Sequence, residues 1–237
     1  MNKNSLLYWF PKVSGLGIPV PRTHCLDADA MQILGAMEGE APLTPEFVSA
    51  LHGAAEVIGY PLFLRTDLQS GKHGWKDTCF VPSAALLQRN MFGVAEENEM
   101  GACMFGPHYS AFVFREFLDL ETSFIAFYGD MPVNRERRYF VRDGAILCHH
   151  SYWPEGAIDG HTNDPDWQRK LAVLNEEPDA EVALLSDYAL RVGKALPGFW
   201  SVDFAKTRAG NWYLIDMAVG GESYHWPGCV NAERESE

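Results

Sequence analysis

Between Pro61 and Val81 the chain reads PLFLRTDLQSGKHGWKDTCFV. The apolar runs at its two ends read as short strands. The segment between them nonetheless carries Arg65, Asp67, Lys72, His73, Lys76 and Asp77, with Gly71 and Gly74 to bend it. A polar hairpin loop and an anion-holding loop both fit such a pattern. Upstream, Thr44 and Pro45 have the form of an N-cap and first helical residue, followed by Val48, Leu51, Ala55 and Ile58 at helical spacing up to Gly59. Downstream, Ser83 would cap a second helix through PSAALLQRNMF.

From Ala111 the pattern turns to strands. AFVFREFLDLETSFIAFYGD holds two β-rich runs around an acidic break, and RRYFVRDGAILCHHSYW places Asp143-Gly144 where a two-residue hairpin turn belongs. A polar loop, SYWPEGAIDGHTNDPDWQ, leads to a helix over about 180–196 with Val182, Leu185, Ala189 and Val192 on one face. FWSVDFAKT and NWYLIDMA then form a last hairpin through Arg208, Ala209 and Gly210. Strand pairs punctuated by single helices predict an α+β protein with a cleft between sheets. Residues 1–40 read as an abbreviated N-terminal segment, 41–230 as the main domain and 231–237 as a frayed acidic tail.

Composition narrows the function. A net charge of -13 opposes general attraction to polyanions, so nucleic acid is not expected as a partner, although a local basic site for a small phosphate compound remains open. The five cysteines, Cys25, Cys79, Cys103, Cys148 and Cys229, are odd in number and lack CxxC spacing, which supports neither a disulfide framework nor a structural zinc site. No run approaches the roughly 20 apolar residues of a membrane span, and no secretory leader is evident. The expectation is a cytoplasmic protein with no membrane partner.

Two sets of residues carry chemistry. Glu136, Arg138, Phe140 and Arg142 share one strand face, which fits either a solvated sheet or a polar cleft. Asp203 and Asp216 sit among apolar neighbours on paired strands, where carboxylates need a cation, a metal or water. Facing each other across a hairpin, they could share Mg²⁺, which brings substrate phosphates with it; a turn cap or an arginine pair are the structural alternatives. His149, His150 and His225 read as hydrogen-bonded structural residues, and Trp153, Trp200, Trp212 and Trp226 as core.

The order FLRTDLQSGKHGWKDT, VFREFLDLE, ERRYFVRDGAIL, WSVDFAKTRAGNWYLIDMAVGGES resembles the ATP-grasp superfamily from about residue 56 onward. Within it the chain is similar to the clade with arginine in place of the first phosphate-binding lysine. That clade comprises bacterial and phage members and, more distantly, the eukaryotic cell-division-cycle protein that helps assemble a translation initiation factor. The resemblance implies two α+β lobes with ATP in the cleft between them. It assigns triphosphate contacts to Arg65, Lys72 and Lys76, the adenine strand to Arg115, Glu116, Phe117 and Leu118, and the ribose to Glu121 with Asp119 as competitor. Arg138 would face phosphate or an acyl-phosphate, with Glu136 to orient it and Lys72 as a second catalytic cation. Asp203 and Asp216 would hold Mg²⁺.

The family's usual asparagine two residues after the second aspartate is Ala218 here, and Glu222 is a possible substitute ligand. Two functions follow from the resemblance. One is an ATP-dependent carboxylate-amine or carboxylate-thiol ligase whose acceptor is an amino acid, a peptide or a protein. The other is an ATP-binding assembly factor with little or no ligase activity.

Overall fold

The computed structural model describes residues 2–227 and 229, with every side chain among them but those of 102–105. The expected tail at 231–237 lies outside the described residues. The chain runs α1 (Leu6–Val13), β1 (Thr23–Asp27), α2 (Ala30–Met37), α3 (Pro45–Ile58), β2 (Leu62–Thr66), a 3-10 segment Lys72–Asp77 and β3 (Phe80–Val81). It continues with α4 (Ala84–Phe105), β4 (Ala111–Glu116), β5 (Thr122–Ala126), β6 (Met131–Asn134), β7 (Glu136–Arg142) and β8 (Ala145–Ser151). The last part comprises α5 (Glu155–Ile158), α6 (Trp167–Leu174), α7 (Asp179–Ala195), β9 (Phe199–Lys206) and β10 (Trp212–Val219).

The local signals in the sequence account for most of these elements. The Thr44 hydroxyl accepts from the Phe47 amide at the start of α3, and Gly59 ends it at a positive φ of 87°. Asp143 (φ 48°) and Gly144 (φ 84°) make the tight turn between β7 and β8. Two short helices near the N-terminus were not anticipated. One of them, α1, contains Pro11, a residue that argues against a helix, yet Ser5 caps it and Leu6, Trp9 and Val13 bury one face.

The described chain divides into two compact units. One holds Pro21–Leu118 and Phe127–Met131, the other the described residues of Met1–Val20, Asp119–Ala126 and Pro132–Glu237. In the first, an antiparallel sheet of order β1-β4-β2-β3 carries α2, α3 and α4 on one face. Leu62 and Leu64 of β2 and Phe112 and Phe114 of β4 point into that core beside Ile33, Leu51, Ile58, Leu87 and Met91. By alternation, Phe63, Arg65, Val113 and Arg115 occupy the opposite face.

In the second unit the sheet order is β10-β9-β7-β8, again antiparallel, while β5 and β6 pair separately. Tyr139, Val202 and Phe204 are buried, as are Leu185, Ala189 and Val192 of α7, which packs on this sheet. Arg137, on the same face as Tyr139, donates to the carbonyls of Leu174 and Glu176, and Arg135 to those of Val173 and Glu176. The two arginines therefore cap the C-terminal end of α6, where unpaired carbonyls and the negative end of the helix dipole gather.

Candidate functional site

In the first unit the charged segment is built around fixed partners. Asp67 accepts from the Ser110 and Ala111 amides at 2.9 and 3.2 Å, which anchors the start of β4. Asp77 pairs with Arg89, and Lys76 with Asp130. From α4, the buried Asn90 amide donates to the carbonyls of Lys76, Thr78 and Phe80 at 3.1, 2.8 and 2.8 Å, tying the segment down along its length. Gly93 makes this approach possible, because a Cβ there would come within 2.1 Å of the Asp77 carbonyl oxygen.

Beside this segment Arg65 and Arg115 share one sheet face and are almost fully buried, with 2% and 3% exposure. Arg65 Nε donates to the Thr66 carbonyl at 3.0 Å and Arg115 Nε to Thr23 Oγ1 at 3.3 Å. Buried guanidinium groups of this kind are costly unless they meet acceptors, and they suit planar oxyanions. Trp75 stacks on Phe80 with centroids 5.6 Å apart, and Phe117 lies 5.1 Å from Phe80. Of these three aromatics the sequence singled out Phe117 alone. Lys72 and Leu118 are half-buried, and Glu116 is ion-paired with Arg22 at 3.0 Å.

In the second unit one sheet face gathers the other candidates. Arg138 on β7 lies opposite Asp203 on β9, and Asp203 lies opposite Asp216 on β10. Arg138 Nε and Nη2 reach the two Asp203 oxygens at 2.8 and 2.7 Å, a bidentate pair with both side chains largely buried. Burial works against the charge on Arg138, but the Asp203 carboxylate outweighs it and holds the guanidinium further above its ordinary range. Asp216 adds to that effect and accepts from the Met217 amide at 3.0 Å. Asp203 is thus the partner that orients Arg138, while Glu136 is buried two residues away on the same strand.

Ala218 faces Ser201, whose hydroxyl lies 2.6 Å from that of Ser223. Glu222 is exposed and accepts from the Asn4 amide. Glu121 accepts from Arg135 at 3.0 Å and lies 3.8 Å from Lys206, and Asp119 pairs with Arg208 at 3.0 Å. His150, next to Arg138 in the β7–β8 register, was read as structural; burial drives its pKa down to about 4, so the ring is neutral at pH 7.

A family model described as an ATP-grasp domain, family 3 of the arginine-for-lysine clade, matches residues 50–234. The chain belongs to this clade of ATP-grasp domains. The α+β ATP-grasp fold expected from the sequence is borne out. Among solved structures, this ATP-grasp chain is similar to Cdc123 from Schizosaccharomyces pombe, with 11% identity and a TM-score of 0.60 over 92% of this chain and 83% of that one. It is also similar to N5-carboxyaminoimidazole synthetase from Staphylococcus aureus complexed with ADP, with 12% identity and a TM-score of 0.50 over 92% of this chain and 46% of that one. At these identities the likeness is one of fold, and the chain spans less than half of the synthetase. No curated protein matches the sequence. Among the described residues, no helix is long and apolar enough to cross a membrane.

The donor chemistry of this ATP-grasp chain fits the ligands of its fold. Buried arginines on a sheet face beside stacked aromatics suit a nucleotide phosphate and base. Two carboxylates facing each other supply the few hard oxygens that a phosphate-borne Mg²⁺ needs. One of the two already serves Arg138, which lowers the number of protein oxygens left for a metal.

Proposed function

We propose that this protein is an ATP-dependent ligase joining a carboxylate to an amine or a thiol through an acyl-phosphate. The observation that carries the proposal is the Arg138–Asp203–Asp216 row on one sheet face of a chain matched to the ATP-grasp family. The carboxylate oxygen of one substrate attacks the γ-phosphorus, ADP leaves, and the amine or thiol then attacks the acyl carbon and expels phosphate.

Phosphoryl transfer spreads negative charge over the transferred oxygens, so the contribution of the protein is positioning and charge neutralisation. Arg65, Lys72 and Lys76 serve the triphosphate, and the backbone of Arg115–Leu118 with Phe117 serves the base. Glu121, or Asp119 in its place, serves the ribose. Arg138 meets the acyl-phosphate, held in the required orientation by Asp203. Asp216 and Asp203 would hold Mg²⁺, which when bound neutralises phosphate charge. The nucleophilic acceptor belongs to the class of amino acids, peptides or protein termini, and the protein works in the cytoplasm.

A second reading has its own support. Both Asp203 oxygens are engaged by Arg138 and position 218 has no side-chain donor, an arrangement that favours nucleotide binding over turnover. On that reading ATP orders the chain for a protein partner, as the resemblance to the cell-division-cycle assembly protein suggests. Incubation with Mg-ATP and a pool of amino acids and peptides separates the two. ADP formed only with an acceptor, together with a mass gain on that acceptor, is expected of the ligase; nucleotide binding with no ADP under any acceptor overturns it in favour of the assembly factor.

A further inference from the structure

Far from the phosphate-binding candidates in sequence, the segment from His225 to Cys229 returns to β8. His225 stacks on Phe140 with centroids 3.6 Å apart, and its Nε2 lies 2.9 Å from Cys148 Sγ. The Cys229 amide donates to the Trp226 carbonyl at 2.9 Å, a turn that carries its thiol toward the same place. One ligand atom each of Cys148, His225 and Cys229 lies within 4.8 Å of the others, the one such gathering of three among the described residues. None of the three is in a disulfide or in the row described above.

We propose that Cys148, His225 and Cys229 form a zinc site. Two thiolates and an imidazole are the donor set of a borderline-soft cation, and oxygen-seeking Mg²⁺ does not compete for them. A zinc–sulfur bond of about 2.3 Å and a zinc–nitrogen bond of about 2.0 Å in a tetrahedron put sulfur and nitrogen about 3.6 Å apart, and two sulfurs about 3.8 Å apart. The thiol–imidazole hydrogen bond of 2.9 Å therefore has to open by roughly half an ångström, within the reach of side-chain rotation. Binding releases the protons of the two thiols to solvent.

A second observation points to a ligand at the same place. A cavity of about 620 Å³ runs along β8, lined by Cys148, His150, Glu177, Trp226 and Cys229 among others. His150 is more than nine-tenths buried; its Nδ1 is held by the Ser151 carbonyl at 2.7 Å, and its Nε2 has no hydrogen-bond partner among the described residues. That tautomer turns a lone pair outward, as in histidines that serve a metal or a metal-bound ligand. Its ring lies 5.8 Å from His225 and 5.3 Å from Trp226, centroid to centroid. Three protein ligands leave the fourth zinc position to water or a small ligand from the cavity, with His150 Nε2 to accept its hydrogen bond. The zinc would clasp the turn at 225–229 to the edge strand. The reading of the cysteines by CxxC spacing missed this set because Cys148 and His225 are 77 residues apart in sequence.

The test uses the full chain, purified in reductant and dialysed against Zn²⁺ and then against buffer. Expected is about one zinc retained per chain by elemental analysis, and thiolate-to-metal charge-transfer absorption when Co²⁺ replaces it. Cys148→Ala and Cys229→Ser should each weaken zinc binding more than about a hundredfold, the upper end of what loss of an outer-sphere partner costs, whereas Cys25→Ser should leave it unchanged. No retained zinc and no charge-transfer band in the parent protein would overturn the site, and this arm needs no variant to fold. Zinc retained undiminished by Cys148→Ala would overturn it as well, as would a Cys148–Cys229 disulfide in freshly reduced protein.

Discussion

Arg138 supplies positive charge to two carboxylates that face each other on adjacent strands, a countercharge that the sequence alone assigned to a metal. Its removal leaves Asp203 and Asp216 to repel in a poorly solvated place. Arg138→Met is therefore expected to lower stability by about 3–5 kcal/mol in chelator, read by urea denaturation, and Mg²⁺ should restore part of the loss. In the Arg138→Met background, Asp216→Asn should recover stability rather than lower it further; additive losses in this cycle would show that the two residues do not communicate. For the ligand, Asp216→Asn should remove most of the Mg²⁺ dependence of ATP affinity, and Ala218→Asn should strengthen it. Unchanged Mg²⁺ dependence in Asp216→Asn would make the aspartates purely structural.

The 3-10 segment at 72–77 and strand β8 are each held by a few identifiable contacts. Asn90→Ala leaves three carbonyls of the charged segment without their donor, and about 1–3 kcal/mol of stability is expected to go with them. Gly93→Ala should be worse tolerated than a helical Gly→Ala exchange elsewhere, because the new methyl meets backbone. Hydrogen exchange of residues 72–80 should quicken in both variants; protection equal to the parent would contradict the clamp.

On the back of β8, Glu177 pairs with His149 at 3.1 Å. Burial pushes the Glu177 pKa up, but His149 and Arg137 outweigh it and hold the carboxyl below its ordinary 4.5. A depressed carboxyl stabilises the folded state above the unfolded pKa and loses that contribution as pH falls through the folded value. Glu177→Gln should thus cost about 1 kcal/mol at neutral pH, and the gap to the parent should close below pH 4.5.

Much of the architecture was legible because its signals are local: the Thr44-Pro45 start and Gly59 stop of α3, the Asp143-Gly144 turn, and the hairpin that sets Asp203 against Asp216. The Arg138–Asp203 pair was not. It depends on β7 pairing with β9 across 65 residues in one register, and strand alternation fixes the face of a residue but not its neighbour on the next strand. Asn90 and Gly93 were hidden for a similar reason, as both look like ordinary helix surface until the charged segment is laid over them.

Taken whole, the chain is a member of a nucleotide-binding family with an acidic net charge of -13, so any affinity for ATP has to come from a local set of cations. Arg65, Arg115 and Arg138 are all largely buried, and a buried cation that serves a ligand leaves the folded state open to stabilisation by that ligand. Binding to the folded state alone raises stability by RT ln(1 + [L]/Kd), which reaches about 2.7 kcal/mol at a hundredfold excess over Kd. The deciding measurement is a thermal-shift titration of the full chain with Mg-ATP, ADP and a non-hydrolysable analogue, run beside Arg65→Ala. A melting temperature that climbs with nucleotide concentration in the parent and stays flat in Arg65→Ala is the expected result; no shift with any of the three nucleotides at millimolar concentration would contradict nucleotide binding by this chain.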